Sequence, residues 1–187
     1  KNKVRPDRVE QGLAVEHRVA LVTGSTSGIG LSIAGKFAAM GFDVAVNSFE
    51  SEADAAGALA TIAAGASGET AYFQADLAKP ALGAELVART IARFGRIDVL
   101  VNNAALMWMF EPFEIGIDDW DKVMRVKVRA PYVAISRVAP HMIRQGSGSI
   151  VNVTAKAGEF MSRGDRLHDR TVLEDRVQGA PRAADPA

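Results

Sequence analysis

The sequence predicts an α/β fold, a doubly wound parallel sheet of about five strands in the order 3-2-1-4-5. Three observations predict it. Short apolar, β-branched runs alternate with helical stretches of ten or more residues. A glycine cluster sits where the first strand hands over to the first helix. Connections of this length between strands imply right-handed βαβ crossovers, which place helices on both faces of a parallel sheet.

The elements follow in order. "RVALVTG" (18–24) is a short β-branched run ended by glycine, the form of a parallel strand covered on both faces. From Gly28, "GIGLSIAGKFAAMG" spaces Ile29, Ile33, Phe37 and Met40 as a helix does, and Gly41 ends it. "DVAVN" (43–47) is the second strand, the Ala-rich stretch 51–66 the second helix, "TAYFQAD" (70–76) the third strand and 81–94 the third helix. "RIDVLVNNA" (96–104) is the fourth strand, 118–143 one long helix, and "SIVNVT" (149–154) the fifth strand. No tandem repeat is visible. Composition changes after Gly158: residues 159–187 hold five Arg, six Asp or Glu, and no Tyr or Trp. This gives three regions: an extension over 1–16, a nucleotide-binding domain over 17–158, and a divergent tail over 159–187, expected to be disordered or loosely helical.

Bulk properties narrow the function. The chain has 187 residues, enough for one domain with its own core. Its 22 Lys and Arg balance 22 Asp and Glu, so nothing draws it to nucleic acid or to an anionic membrane. There is no cysteine, which excludes disulfides, Cys-ligated zinc and a thiolate nucleophile. No apolar run approaches the roughly 20 residues that span a bilayer, and the charged first 17 residues lack the apolar core of a signal peptide. The expectation is a soluble, cytoplasmic protein. No histidine–carboxylate group has metal-ligand spacing, so no metal is expected.

"VTGSTSGIG" places Gly24, Gly28 and Gly30 at the exit of a strand and the entry of a helix. Glycine suits a backbone of positive φ, close approach of a pyrophosphate, and contact between helix and strand. The helix N-terminus adds unpaired N–H groups and a partial positive charge. By itself such a cluster is also compatible with a plain tight turn. Between a strand and a helix it points to dinucleotide binding in a Rossmann-like domain.

Taken together, "TGSTSGIG", "QADL" (74–77) and "NNAA" (102–105) resemble three ordered motifs of the short-chain dehydrogenase/reductase family, in register from about residue 17 to 158. Within that family "LVTGSTSGIGLSIA" and "VAVNSFES" are most similar to NAD-dependent 3-hydroxybutyrate dehydrogenases, with 3-oxoacyl-carrier-protein reductases next. The resemblance implies that Ser25, Ser27, Ile29 and the glycines surround the pyrophosphate. It implies further that Asp76 and Leu77 meet the adenine, and that Asn102 and Ala104 meet the nicotinamide-side ribose. Asn102 and Asn103 also suit simple bonding to loop backbone at a strand end. Cofactor choice falls to the end of the second strand, where Asn47 and Ser48 are neutral and Glu50 lies slightly beyond. With no Lys or Arg at 25–27 or 47–49 to neutralise a 2′-phosphate, NAD is favoured over NADP.

The reactive half does not match. Relatives of this kind transfer a hydride at the nicotinamide, with a Tyr-x-x-x-Lys pair, a serine after strand five and an asparagine in the long helix. Here Tyr72 and Tyr132 are followed four residues later by Asp76 and Ser136. Ala155, beside Thr154, takes the serine position, and Lys127 the asparagine position. His168, with Val172 four residues on, falls near the tyrosine position, and Lys156 is the other proton carrier nearby. Neither is expected to rescue catalysis, so no catalytic residue is assigned. His17 and His141 read as extension and helix-end residues.

The tail thus replaces the helix and strands that would complete such a domain, as an out-of-frame continuation or a genuine short variant. The first expectation is an oxidoreductase acting on secondary alcohols or ketones, truncated and impaired. The alternatives are a non-catalytic dinucleotide-binding or interaction module, and an inert remnant that pairs with a full-length relative. Strand five would lie at a sheet edge. With the long helix, expected to offer Val123, Val126, Ala130, Tyr132, Val133, Ile135 and Val138, it would drive homo-oligomer formation.

Overall fold

A computed structural model describes residues 17–106 and 116–154. The expected extension over 1–16 and tail over 159–187 lie outside the described residues. Five parallel strands, β1 (Val19–Val22), β2 (Asp43–Ser48), β3 (Thr70–Gln74), β4 (Val99–Asn102) and β5 (Ser149–Asn152), lie in the order β3-β2-β1-β4-β5. Helices α1 (Gly28–Ala39), α2 (Glu52–Ala63) and α3 (Pro80–Phe94) connect successive strands, and α4 (Ile117–Met124) and α5 (Ala130–Gln145) lie between β4 and β5. The predicted doubly wound sheet is therefore present.

The central strands carry unbroken apolar runs, 19–22, 44–46 and 99–101, because both faces are covered there. Ala20, Val22, Val44, Val46 and Val101 face Ala34 and Ala38 of α1 and Ile62 of α2. On the opposite face Leu21, Ala45, Phe73 and Leu100 meet Leu86 and Val87 of α3 and Ala134, Val138 and Met142 of α5. At the amino ends of the strands, buried Asp98 accepts from Val19 N (2.8 Å) and from the Arg96 guanidinium (2.7 and 2.9 Å). This satisfied pair fastens the entry of β4 to the start of β1.

One local feature differs from expectation. The stretch read as one helix over 118–143 is interrupted by a π-helical turn, Arg125–Arg129, between α4 and α5. One extra residue in the turn rotates everything beyond it around the axis. In consequence the helix buries Val123, Ala130, Ala134, Val138 and Met142, while Ile117, Trp120, Met124, Val128 and Tyr132 stay exposed. Of the apolar residues expected to exceed one buried face, Val123, Ala130 and Val138 are buried, Val126, Val133 and Ile135 half-buried, and Tyr132 exposed. As expected for an edge strand, β5 pairs with β4 alone among the described residues, and Val151 and Val153 are exposed.

Candidate functional site

Everything that could hold a ligand gathers at the carboxyl ends of the strands, where β1 turns into α1. Gly24 (φ +62°) and Gly28 (φ +52°) adopt the left-handed backbone that disfavours side chains. A Cβ at Gly30 would lie 2.5 Å from Asn103 Nδ2 and would strike the Gly24 carbonyl. Gly28 by contrast has nothing within 4 Å of where a Cβ would stand, so the space above the N-terminus of α1 is open. Ser27 precedes that helix without capping it through its side chain, and both Ser27 and Ile29 are exposed. The backbone N–H groups of the first turn thus face an open space suited to an anion.

The turn is held from β4. Thr23 Oγ1 accepts from Asn103 N and Ala104 N, each at 3.0 Å, and donates to Val101 O (3.3 Å). Asn103 Nδ2 donates to the carbonyls of Thr23 and Gly24, both at 3.0 Å. Asn103 is therefore the strut of the glycine turn, the backbone role open to either asparagine from the sequence. Replacing it with Ala strands two carbonyls in a part-buried place. Asn103→Ala is expected to lower stability by about 1–3 kcal/mol and to weaken dinucleotide binding. An unchanged urea midpoint would show that the turn is held by other means.

Several residues expected to meet cofactor have their side chains engaged within the fold. Ser25 is fully buried: its Oγ donates to Val22 O (2.7 Å) and accepts from Asn47 N (3.0 Å), bridging β1 to β2. Asn47 is also buried, and its Nδ2 donates to Phe73 O (3.0 Å) and Ala75 O (3.3 Å). Asn102 Nδ2 donates to Asn152 Oδ1 (2.9 Å), its register partner on β5. Asp76 Oδ1 accepts from Ala78 N (3.0 Å), fixing the turn after β3, and Leu77 is half-buried against the core. Of the expected residues, Ser27, Gly28 and Ile29 are exposed at the N-terminus of α1, and Ala104, Asp76 and Leu77 are partly exposed at the ends of β4 and β3.

Glu50 is brought in by the fold. Its Oε2 accepts from Thr26 Oγ1 in the glycine turn (2.9 Å) and from Ser48 Oγ (3.1 Å). The 24-residue separation of Thr26 and Glu50 hides this contact from local reading. Tyr72 OH donates to Glu50 O (2.6 Å). Burial, with smaller contributions from the carboxylates of Glu50, Glu52 and Asp54, raises the Tyr72 pKa above the ordinary tyrosine value. Tyr72 is thus a neutral structural donor.

Lys127, compared in the sequence with the family's asparagine position, falls inside the π-helical turn, and Tyr132 is an exposed residue of α5. Ala155, Lys156, His168 and Val172 lie outside the described residues. Among the described residues no group of three His, Cys, Asp or Glu could hold a metal, and no helix is long and apolar enough to cross a membrane.

Fold and turn together define a doubly wound α/β domain with a glycine-rich turn at the first strand–helix junction. The profile of the family described as short chain dehydrogenase matches residues 18–165. D-beta-hydroxybutyrate dehydrogenase of Rhizobium meliloti is 32% identical over 141 residues, covering 75% of this chain and 55% of that protein. A 3-oxoacyl-acyl-carrier-protein reductase of Staphylococcus epidermidis is 34% identical over 148 residues, covering 79% of this chain and 60% of that one. Among solved structures, a metagenomic short-chain oxidoreductase in complex with NADP aligns with TM-score 0.74 and 31% identity, over 87% of this chain and 74% of that one. The chain belongs to the short-chain dehydrogenase family. It spans little more than half the length of the curated relatives it matches.

Proposed function

We propose that this chain is the dinucleotide-binding half of a cytoplasmic NAD-dependent oxidoreductase that acts on a secondary alcohol or ketone by hydride transfer. In this reading the 187 residues bind NAD through its adenosine and pyrophosphate with little or no turnover. The observation that carries it is the open space over Gly28 at the N-terminus of α1, framed by a turn that Asn103 and Thr23 hold rigid. The Glu50 carboxylate beside Thr26 supports NAD over NADP, since a 2′-phosphate there would meet a negative charge. The hydroxybutyrate dehydrogenase and oxoacyl reductase relatives support the alcohol or ketone chemistry. Calorimetric titration of NAD into the whole chain, against the Gly28→Val variant, tests the binding.

A second part of the reading concerns partners. Ile117, Trp120, Met124, Val128 and Tyr132 recur every three or four residues and form one exposed apolar stripe along α4, the π-helical turn and α5. This supports pairing through the helix, with a second copy or with a longer relative, while exposed Val151 on β5 offers a separate edge. Sedimentation at micromolar concentration is expected to show a dimer or larger species. Val128→Lys with Tyr132→Glu is expected to shift it toward monomer, more than Val151→Lys does. A monomer in the unaltered chain would refute the pairing.

A further inference from the structure

Phe49 is 72% exposed, yet it sits on one of the most firmly held stretches of backbone at the strand ends. Three successive carbonyls around it are each bonded to groups of the neighbouring strand or its exit. Ser48 O accepts from Ala75 N (2.8 Å), Phe49 O from Gln74 Nε2 (3.1 Å), and Glu50 O from Tyr72 OH (2.6 Å). The residue before Phe49 is buried, and the carboxylate of the residue after it is tied to Thr26 of the glycine turn. The turn carrying Phe49 therefore lies between the glycine turn on one side and the Asp76–Leu77 turn on the other. An aromatic ring left mostly in water contributes little burial to the core. Beside a dinucleotide site its flat face suits a planar base.

We propose that Phe49 is the platform on which the adenine of the bound dinucleotide stacks. The assignment rests on the NAD-binding reading above. It gives a physical role to a large apolar side chain that the end of β2 leaves exposed. Stacking needs no base-specific hydrogen bond, so Phe49 supplies affinity for the adenosine half, while Glu50 next to it disfavours a phosphate on the ribose.

The test compares the whole chain with Phe49→Ala, Phe49→Trp and Gly28→Val, with NAD, AMP and nicotinamide mononucleotide as probes in calorimetry. Because the ring is 72% exposed, Phe49→Ala is expected to keep its circular dichroism and urea midpoint. It should bind both NAD and AMP about five- to a hundredfold more weakly, with nicotinamide mononucleotide unaffected. Phe49→Trp should keep the affinity, and AMP should quench the new indole fluorescence. NAD binding that Gly28→Val abolishes but Phe49→Ala leaves unchanged would overturn the platform and leave the NAD reading standing. NAD binding that survives Gly28→Val, or no binding by the unaltered chain, would overturn that reading and the platform with it.

Discussion

Mixed with NAD and 3-hydroxybutyrate, the purified 187-residue chain is expected to form NADH no faster than the background. Hydride transfer to or from a carbonyl carbon requires a proton to move at the oxygen, and a positioned acid–base group contributes a hundred- to ten-thousandfold, as an order of magnitude. Neither tyrosine of the chain can serve. Tyr72 is bonded to the Glu50 carbonyl beneath the turn after β2, and Tyr132 stands on the exposed side of α5. Neither is followed by a lysine at the next helical turn. Ala155 has no hydroxyl for the substrate oxygen, and Lys127 occupies the π-helical turn where the family resemblance places an asparagine. Loss of substrate positioning multiplies the loss of proton transfer. Turnover at an ordinary enzymatic rate, on the order of 1–1000 per second, would mean that other groups carry the chemistry and would overturn the impaired reading.

Substitutions at two nearby glycines, Gly28 and Gly30, are expected to fail in opposite ways. Gly30→Ala puts a methyl against the Gly24 carbonyl and 2.5 Å from Asn103 Nδ2. Both are fixed, one as backbone and the other as the strut of the turn. The variant should lose roughly 3 kcal/mol of stability by overpacking, read as a lower urea midpoint. Gly28→Val meets nothing within 4 Å. Its cost to the free protein is that of a φ of +52° on a branched residue, about 1–2 kcal/mol. The valine instead fills the space over the helix N-terminus, where the pyrophosphate is proposed to sit. The protein should remain folded by circular dichroism while NAD binding falls below detection. Equal binding by Gly28→Val would place the dinucleotide elsewhere.

Much of the architecture was legible locally. A β-branched run ended by glycine marked β1, short apolar runs marked β2 to β5, the helices between them fell close to their observed bounds, and the sheet order followed from the doubly wound class. The glycine cluster was legible as well, because Gly24, Gly28 and Gly30 answer to backbone geometry that a few neighbouring residues impose. The roles of the polar residues were not. Ser25, Asn47 and Asn102 look alike as hydroxyl or amide ligands, and only their partners on other strands engage them within the sheet.

The sequence by itself determined the parallel doubly wound sheet and the placing of the glycine turn, and its resemblance to the family supplied the strand order and the expected mismatch at the catalytic positions. Each depends on residue type and spacing along the chain. Tertiary structure decided that Asn103 and Thr23, 80 residues apart, brace the turn, and that Glu50 closes on Thr26. It also decided which side of the long helix stays exposed. There a single π-helical turn changes the angular phase of every residue after it, and an apolar periodicity read at a constant 100° per residue assigns the exposed face incorrectly. Hydrogen-bond partners and helix phase are properties of chain segments brought together by packing, which is why residue spacing alone did not supply them.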